Sequence, residues 1–260
     1  AVSSCVQKRK KIMEHAAQLT AEKSRLQAQI QVLEQAEQSF SGLNQGARFI
    51  LEAAKKGQLH GSFKALSPSI EVPAEYETAM AAVFGDLLDG VVLPARENLE
   101  EALALLEKGK DGRAILLPLD SIRGDDRVKL AKDADVLGVA ADLIRTSDEL
   151  QPVVKKLLGN VLVVRDRSAA IRLESSLPEN ARMVTLRGEV FWGNGMVSAG
   201  QDNRSAMIAR PRQKRELTEA LESIVKELAA IGDEQQNVEL DLEELRSREK
   251  EQQKKADEIS

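Results

Sequence analysis

The chain has 260 residues and a mass of 28.5 kDa, enough for one or two domains with a full hydrophobic core, so size forces neither disulfides nor metals. Charged residues make up 30% and aromatic residues 3%, an unusual balance for a globule packed with large side chains, so part of the chain is expected to be non-globular. A formal net charge of −5 excludes a uniformly basic nucleic-acid coat and leaves room for a local basic patch.

The single Cys5 excludes a disulfide framework, and with only His15 and His60 beside it no Cys/His zinc site of the usual ligand count can form. A reduced, cytoplasmic setting fits. No apolar run approaches the roughly 18 residues needed to cross a bilayer, and residues 1–11 lack the apolar centre of a signal peptide, so a soluble protein without a membrane partner is expected. Without an initiator Met and starting inside a periodic stretch, the chain reads as an excised piece of a longer one.

In chain order, Cys5, Ile12, Leu19, Leu26, Leu33 and Phe40 recur every seven residues, with Ala16 and Ile30 on the second apolar position of a heptad seam. At the other end Leu217, Leu221, Ile224, Leu228, Ile231, Val238, Leu242 and Leu245 step by four and three, Gln235 interrupts the run, and Ala256 and Ile259 keep the register. No proline falls within residues 1–40 or 212–260. Two long helical arms are therefore expected, residues 1–41 and 208–260. Their apolar stripes can cover each other as an antiparallel intrachain coiled coil, the alternative being two helices that join an intermolecular bundle.

Between the arms, residues 42–207 carry short apolar runs, helix-like segments and Gly/Pro punctuation. Strands are expected at 61–66, 90–93, 114–117, 161–164, 183–186 and 196–199. Helices are expected at 43–54, 76–84, 99–106, 149–158 and 168–173, with Ser147 and Asp148 as candidate caps. The alternation predicts a mixed α/β domain of two sub-halves, about 42–120 and 121–207, joined by the charged, turn-rich stretch 118–135.

Catalytic chemistry is sparse. No G-x-x-x-x-G-K-[ST] loop exists to cradle a triphosphate, so ATP hydrolysis is not expected. Residues 193–200 superficially match a dinucleotide fingerprint, but the third glycine falls two positions late, and a glycine-rich turn leading into a strand is the simpler reading. Adjacent carboxylates (Glu100 with Glu101, Asp125 with Asp126) read as solvated surface. His60 has no neighbouring nucleophile and His15 lies on a heptad helix, so neither is a catalytic base. One cluster stands out: Arg204, Arg210, Arg212, Lys214 and Arg215 concentrate at the start of the second arm, in an acidic chain. Pro211 disfavours helix at Arg210, so the cluster is expected to straddle a loop-to-helix corner, where it either presents donors to phosphates or forms a merely solvated basic surface turn.

Arm, α/β domain and returning arm together resemble the hinge region of structural maintenance of chromosomes (SMC) proteins. The local stretches Gly57–Gly61 (GQLHG), Ile70–Met80 (IEVPAEYETAM), Gly90–Leu93, Ala114–Asp120 (AILLPLD) and Val184–Gly200 (VTLRGEVFWGNGMVSAG) make the likeness specific to the bacterial condensin type. The family's closing pattern of glycine, apolar residue, Ser or Thr and a Gly-Gly pair is matched by Gly195, Val197, Ser198 and Gly200, with Ala199 in place of the first paired glycine.

The resemblance implies a non-enzymatic homodimerisation hinge, with the interface at Gly195, Val197, Ser198, Ala199 and Gly200. It also implies non-specific DNA contact near the basic cluster, and a cytoplasmic, nucleoid-associated role in chromosome condensation and segregation. No cofactor is expected in this chain, ATP and Mg belonging to head domains of the complete protein, and kleisin and accessory subunits are expected to bind elsewhere on it. The alternative from the residues alone is a nucleotide- or metabolite-sensing α/β regulatory domain between coiled-coil helices, against which the missing phosphate-binding fingerprint speaks.

Overall fold

The computed structural model describes residues 2–109, 112–122, 124, 127–129, 133–200 and 204–259. The expected Asp125 and Asp126 pair lies outside them, and the side chains of Ala256 and Ile259 are likewise outside the described set. The chain forms two compact units, one of Ala1–Gln35 with Lys214–Ser260 and one of Ala36–Gln213.

The first unit is built from the long helices α1 (Val2–Gln38) and α7 (Ser205–Ile259), which also run into the second. Ion pairs Lys8–Glu234 at 3.0 Å, His15–Glu227 at 3.5 Å and Lys214–Glu34 at 3.6 Å show numbers rising along α1 as they fall along α7, so the helices are antiparallel. Ile12, Leu19, Ile224, Ile231, Val238 and Leu242 form one buried cluster, with Val2, Cys5, Ala16, Leu26 and Leu228 half-buried against it. The two stripes therefore cover each other within one chain. Arg9 and Lys23 complete the inner positions of α1, half-buried, where their aliphatic stems can lie along the seam while the charges reach water.

Two expectations fail at the helix ends. Phe40 is no seam residue: α1 stops at Gln38, Phe40 takes a left-handed φ of 53°, and its ring packs with the core of the second unit. Pro211 does not mark the start of α7 but lies inside it, because the helix begins at Ser205. An interior proline costs about 3 kcal/mol. The first turns of α7 offset this by burying Met207, Ile208 and Ala209, at 8%, 1% and 5% exposure, each large side chain being worth about 1.5–3 kcal/mol. The corner expected at Arg210 is therefore helix.

In the second unit, the chain after α2 (Gln45–Lys55) runs through β1 (Lys64–Ala65), β2 (Ile70–Glu71), α3 (Glu77–Phe84), β3 (Gly90–Leu93), α4 (Glu97–Gly109) and β4 (Ile115–Pro118). There follow β5 (Val136–Val139), β6 (Arg145–Thr146), α5 (Gln151–Leu158), β7 (Val161–Val164), α6 (Arg167–Leu173), β8 (Arg182–Thr185), β9 (Val190–Trp192) and β10 (Val197–Ser198). One sheet has the order β1-β3-β4, a second β10-β9-β8-β7-β5, and a two-stranded ribbon pairs β2 with β6. The parallel pairs β3–β4 and β7–β8 are each spanned by a helix, α4 and α6, giving two strand–helix–strand units. The all-apolar runs of β3 and β7 are buried along their whole length.

The expected strand 61–66 shrinks to two residues because Gly61 sits at φ 95°, where a Cβ would come within 2.9 Å of Pro94. Strands β2, β5, β6 and β9 were not expected. Two of them have two residues and no readable alternation, and β5 is broken by an irregularity between Val136 and Gly138. Ser147 and Asp148 do not cap α5 with their side chains. The Ser147 carbonyl instead accepts the Leu150 and Gln151 N–H groups in a turn that leads into the helix. One apolar core joins residues from both sheets, from Leu43 to Ile208.

Candidate functional site

The stretch 193–200 is the turn and second strand of a β-hairpin. Trp192 N–H donates to the Met196 carbonyl and Gly195 N–H to the Trp192 carbonyl, each at 2.9 Å, while Asn194 Oδ1 accepts from Met196 N–H at 3.2 Å. Among the described residues β10 pairs with β9 on one side only and ends the five-stranded sheet. This arrangement excludes the strand-to-helix geometry of a dinucleotide loop.

The glycines of this hairpin have different tasks. A Cβ on Gly193 would stand 1.9 Å from the Pro178 carbonyl oxygen, so the close backbone approach is made within the chain, at a residue outside the expected set. Gly195 and Gly200, at φ 86° and 142°, have nothing within 4 Å of a Cβ position among the described residues. Gly195, Val197, Ser198, Ala199 and Gly200 are all exposed. Next to them stands Met196, 55% exposed beside Val197 at 53%. Met196 escaped the sequence reading because alternation marks which face a residue takes and says nothing of whether that face is covered. An edge strand with open backbone groups and two exposed apolar side chains is chemically suited to pair with another strand.

All five cations of the basic cluster have intrachain acceptors. In the second unit Arg204 pairs with Asp86 at 2.6 Å, Arg210 donates to the Ser41 carbonyl at 2.6 Å, and Arg212 pairs with Glu77 at 2.7 Å with both side chains mostly buried. In the coil unit Lys214 pairs with Glu34 and Arg215 with Glu219. Asp86 and Glu77, far away in sequence, gave no signal there.

Elsewhere, charged groups brace the domain. The buried Glu189 carboxylate takes Arg167 Nε at 2.8 Å and Thr185 Oγ1 at 3.0 Å, and the Arg167 guanidinium in particular holds its pKa below the usual carboxylate value. Arg182 donates to the carbonyls of Val83 and Leu157, in the last turns of α3 and α5, and burial pushes its pKa down. His60 is bonded through Nδ1 at 2.8 Å and through its backbone N–H at 3.1 Å to Glu101, whose pKa is lowered chiefly by the backbone bond. Glu101 thus ties the 57–63 loop to α4. Among the described residues no group of three or more His, Cys, Asp or Glu could hold a metal, and no helix is long and apolar enough to cross a membrane.

Comparison with known proteins matches this architecture. Residues 59–174 fit the family model of the SMC proteins flexible hinge domain. The chromosome partition protein Smc of Bacillus subtilis (strain 168) is 30% identical over 212 residues, which cover 78% of this chain and 18% of that protein. The Smc of Desulfitobacterium hafniense (strain Y51) is 31% identical over 200 residues, covering 73% and 16%. The chain thus spans less than a fifth of the length of these curated relatives. Among solved structures, an asymmetric dimer of the Geobacillus stearothermophilus SMC hinge domain shares the fold at a TM-score of 0.83 and 24% identity, over 93% of this chain and 99% of that one. The Pyrococcus furiosus SMC hinge domain follows with a TM-score of 0.51 at 26% identity, over 70% and 89%. The domain built on residues 59–174 is an SMC flexible hinge domain.

Proposed function

We propose that the chain is a homodimerisation hinge without catalytic activity, joining two antiparallel coils of an SMC chromosome partition protein in the cytoplasm, at the nucleoid. The open strand β10, with Met196 and Val197 exposed at a sheet edge, carries this reading. Pairing that edge with a second copy satisfies its backbone groups and covers its apolar side chains. Adenosine triphosphate chemistry and kleisin contacts then belong to the complete protein.

Light scattering at micromolar concentration tests it. The parent is expected at twice the chain mass and Val197→Glu at the chain mass with unchanged circular dichroism, since an exposed position tolerates the charge and an interface does not. Val197 is a cleaner probe than Gly195 or Gly200, whose positive φ strains any replacement within the fold itself. An unchanged dimeric mass for Val197→Glu removes β10 from the interface.

Non-specific DNA contact is the second reading. It rests on the concentration of Arg204, Arg210, Arg212, Lys214 and Arg215 in an acidic chain. Phosphates must compete with the carboxylates, and at Arg210 the Ser41 carbonyl, that these residues already hold, so binding is expected to be weak and steeply salt-dependent. Duplex titrations at several salt concentrations, with Arg210, Arg212, Lys214 and Arg215 reversed in charge, test it. Equal affinity and equal salt slope would place the contact elsewhere, with the run of residues 8–11 as the next candidate.

A further inference from the structure

The end of α1 is built on a backbone conformation that its own residue resists. Phe40 has a φ of 53°, and among the described residues it stands alone, glycines apart, in the left-handed region. Ser41 N–H donates to the Ala36 carbonyl at 2.9 Å and Phe40 N–H to the Glu37 carbonyl at 3.1 Å. These two bonds form the Schellman turn that closes many helices. The position held here by Phe40 commonly belongs to glycine, because in that conformation a Cβ crowds the following carbonyl.

Contacts from two other elements fasten the strained turn. At the end of α2, Lys55 Nζ donates to the Gln38 carbonyl at 2.6 Å and stands 4.2 Å from the centre of the Phe40 ring. From α7, Arg210 donates to the Ser41 carbonyl at 2.6 Å. The packing around the ring is incomplete, since a cavity of about 20 Å³ lies between Phe40, Ala36, Leu43, Met207 and Pro211. The sequence meanwhile encodes a different path: Phe40 comes seven residues after Leu33 and continues the apolar repeat of α1, with no proline to stop the helix. Were the helix to run through residues 39–41, Phe40 N–H would pass from the Glu37 to the Ala36 carbonyl and Ser41 N–H from Ala36 to Glu37, so both donors keep an acceptor. The Gln38 carbonyl would then take the Gly42 N–H, and Lys55 would have to leave it.

We propose that residues 39–41 are a two-state latch at the end of α1. In the state described above the helix stops at Gln38 and the Phe40 ring is docked on the core of the domain. In the other state α1 is one turn longer, Phe40 has ordinary helical dihedral angles and its ring takes its heptad position on the face of α1 towards α7. Backbone strain at Phe40 favours the long helix, whereas Lys55 and Arg210 hold the short one. Opposing terms of a few contacts each keep the second state at about 0.1–10% of the population, and whatever draws Lys55 or Arg210 from the turn raises it.

The test is saturation-transfer nuclear magnetic resonance on the isotope-labelled full chain, read at the Cα carbons of Ser39, Phe40 and Ser41, where minor states exchanging in milliseconds become visible. A minor state with helical Cα shifts at all three residues is expected. Lys55 is exposed, so Lys55→Met leaves the fold intact and removes only the ammonium. It should raise the minor population at least about 3-fold, the factor that one exposed cation–π contact supplies. Phe40→Gly relieves the strain and deletes the seam side chain, so the minor state should vanish at Ser39 and Ser41. Absence of exchange in both the parent and Lys55→Met overturns the inference. A minor state with unstructured Cα shifts overturns it too, because that is fraying of the helix end, and so does a minor population that Lys55→Met leaves unchanged.

Discussion

The coil and the hinge domain bury apolar surface by different rules. In the coil, inner residues are found by counting in steps of three and four: positions 217, 221, 224, 228, 231, 235, 238, 242 and 245 of α7 are all buried or half-buried. In the hinge domain, Leu51, Met80, Leu93, Leu158 and Met183 meet in one core from five elements with no shared period. A repeat needs only a partner with the same repeat, so local pattern suffices for the coil. A sheet core depends on which strands pair, and that is a long-range property.

The strongest test of this contrast compares Leu93→Ala with Ile231→Ala. Leu93 is 0% and Ile231 8% exposed. Deleting Leu93 should leave a cavity enclosed on all sides and cost about 3–5 kcal/mol, while the seam around Ile231 can collapse towards solvent and lose about 2–3 kcal/mol. Chemical denaturation followed by circular dichroism measures both, and an Ile231→Ala loss as large as that of Leu93→Ala would erase the contrast.

Next in size is the Arg212–Glu77 pair, at 17% and 16% side-chain exposure. Arg212→Gln strands Glu77 and is expected to cost about 2–3 kcal/mol, with part recovered in the double variant with Glu77→Gln. A double-mutant cycle with no coupling would make this cation a solvated surface charge, as the surface reading of the cluster requires.

Glu189 sharpens the hinge side of the comparison through pH. Its pKa in the folded chain lies below the ordinary 4.5, so its contribution is fully present above that value and is lost as pH falls through 4.5 towards the folded value. Glu189→Gln is expected to lower stability at pH 7 by about 1–2 kcal/mol and to flatten the acid limb of the stability profile. An acid limb of unchanged steepness would assign that limb to other carboxylates.

The smallest expected effect lies in the coil. Gly232→Ala should raise its stability by about 0.5–1 kcal/mol, because the helix gains propensity and the Cβ meets nothing within 4 Å among the described residues. A loss of stability would show that helix propensity does not decide the effect at this position.

Much of the architecture was legible. The strands 90–93 and 161–164 were placed to the residue, since continuous apolar runs between turn formers leave little alternative. Helices α3 and α6 were placed within one residue at their starts. The edge β10 was also legible as a strand, because Gly195 and Gly200 bracket it. Its neighbour β9 was missed although Val190, Phe191 and Trp192 are good strand formers, since three residues between two glycine turns show no period. The basic cluster was visible as composition, but not its partners, because Asp86 and Glu77 approach it only through folding.

By itself the amino-acid order determined two long amphipathic helices and an α/β domain between them, because helical period and buried-strand composition act over a few neighbouring residues, while the pairing of the two helices within one chain was one of two readings it left open. Only the tertiary structure decided that α7 carries Pro211 in its interior, that Gly193 is the glycine held against another backbone, and that each arginine of the cluster already has an acceptor. Those outcomes hang on contacts between segments far apart in the chain. There the burial of Met207 and Ile208 outweighs the local preference of a proline, and a buried cation is settled by the acceptor that folding brings to it.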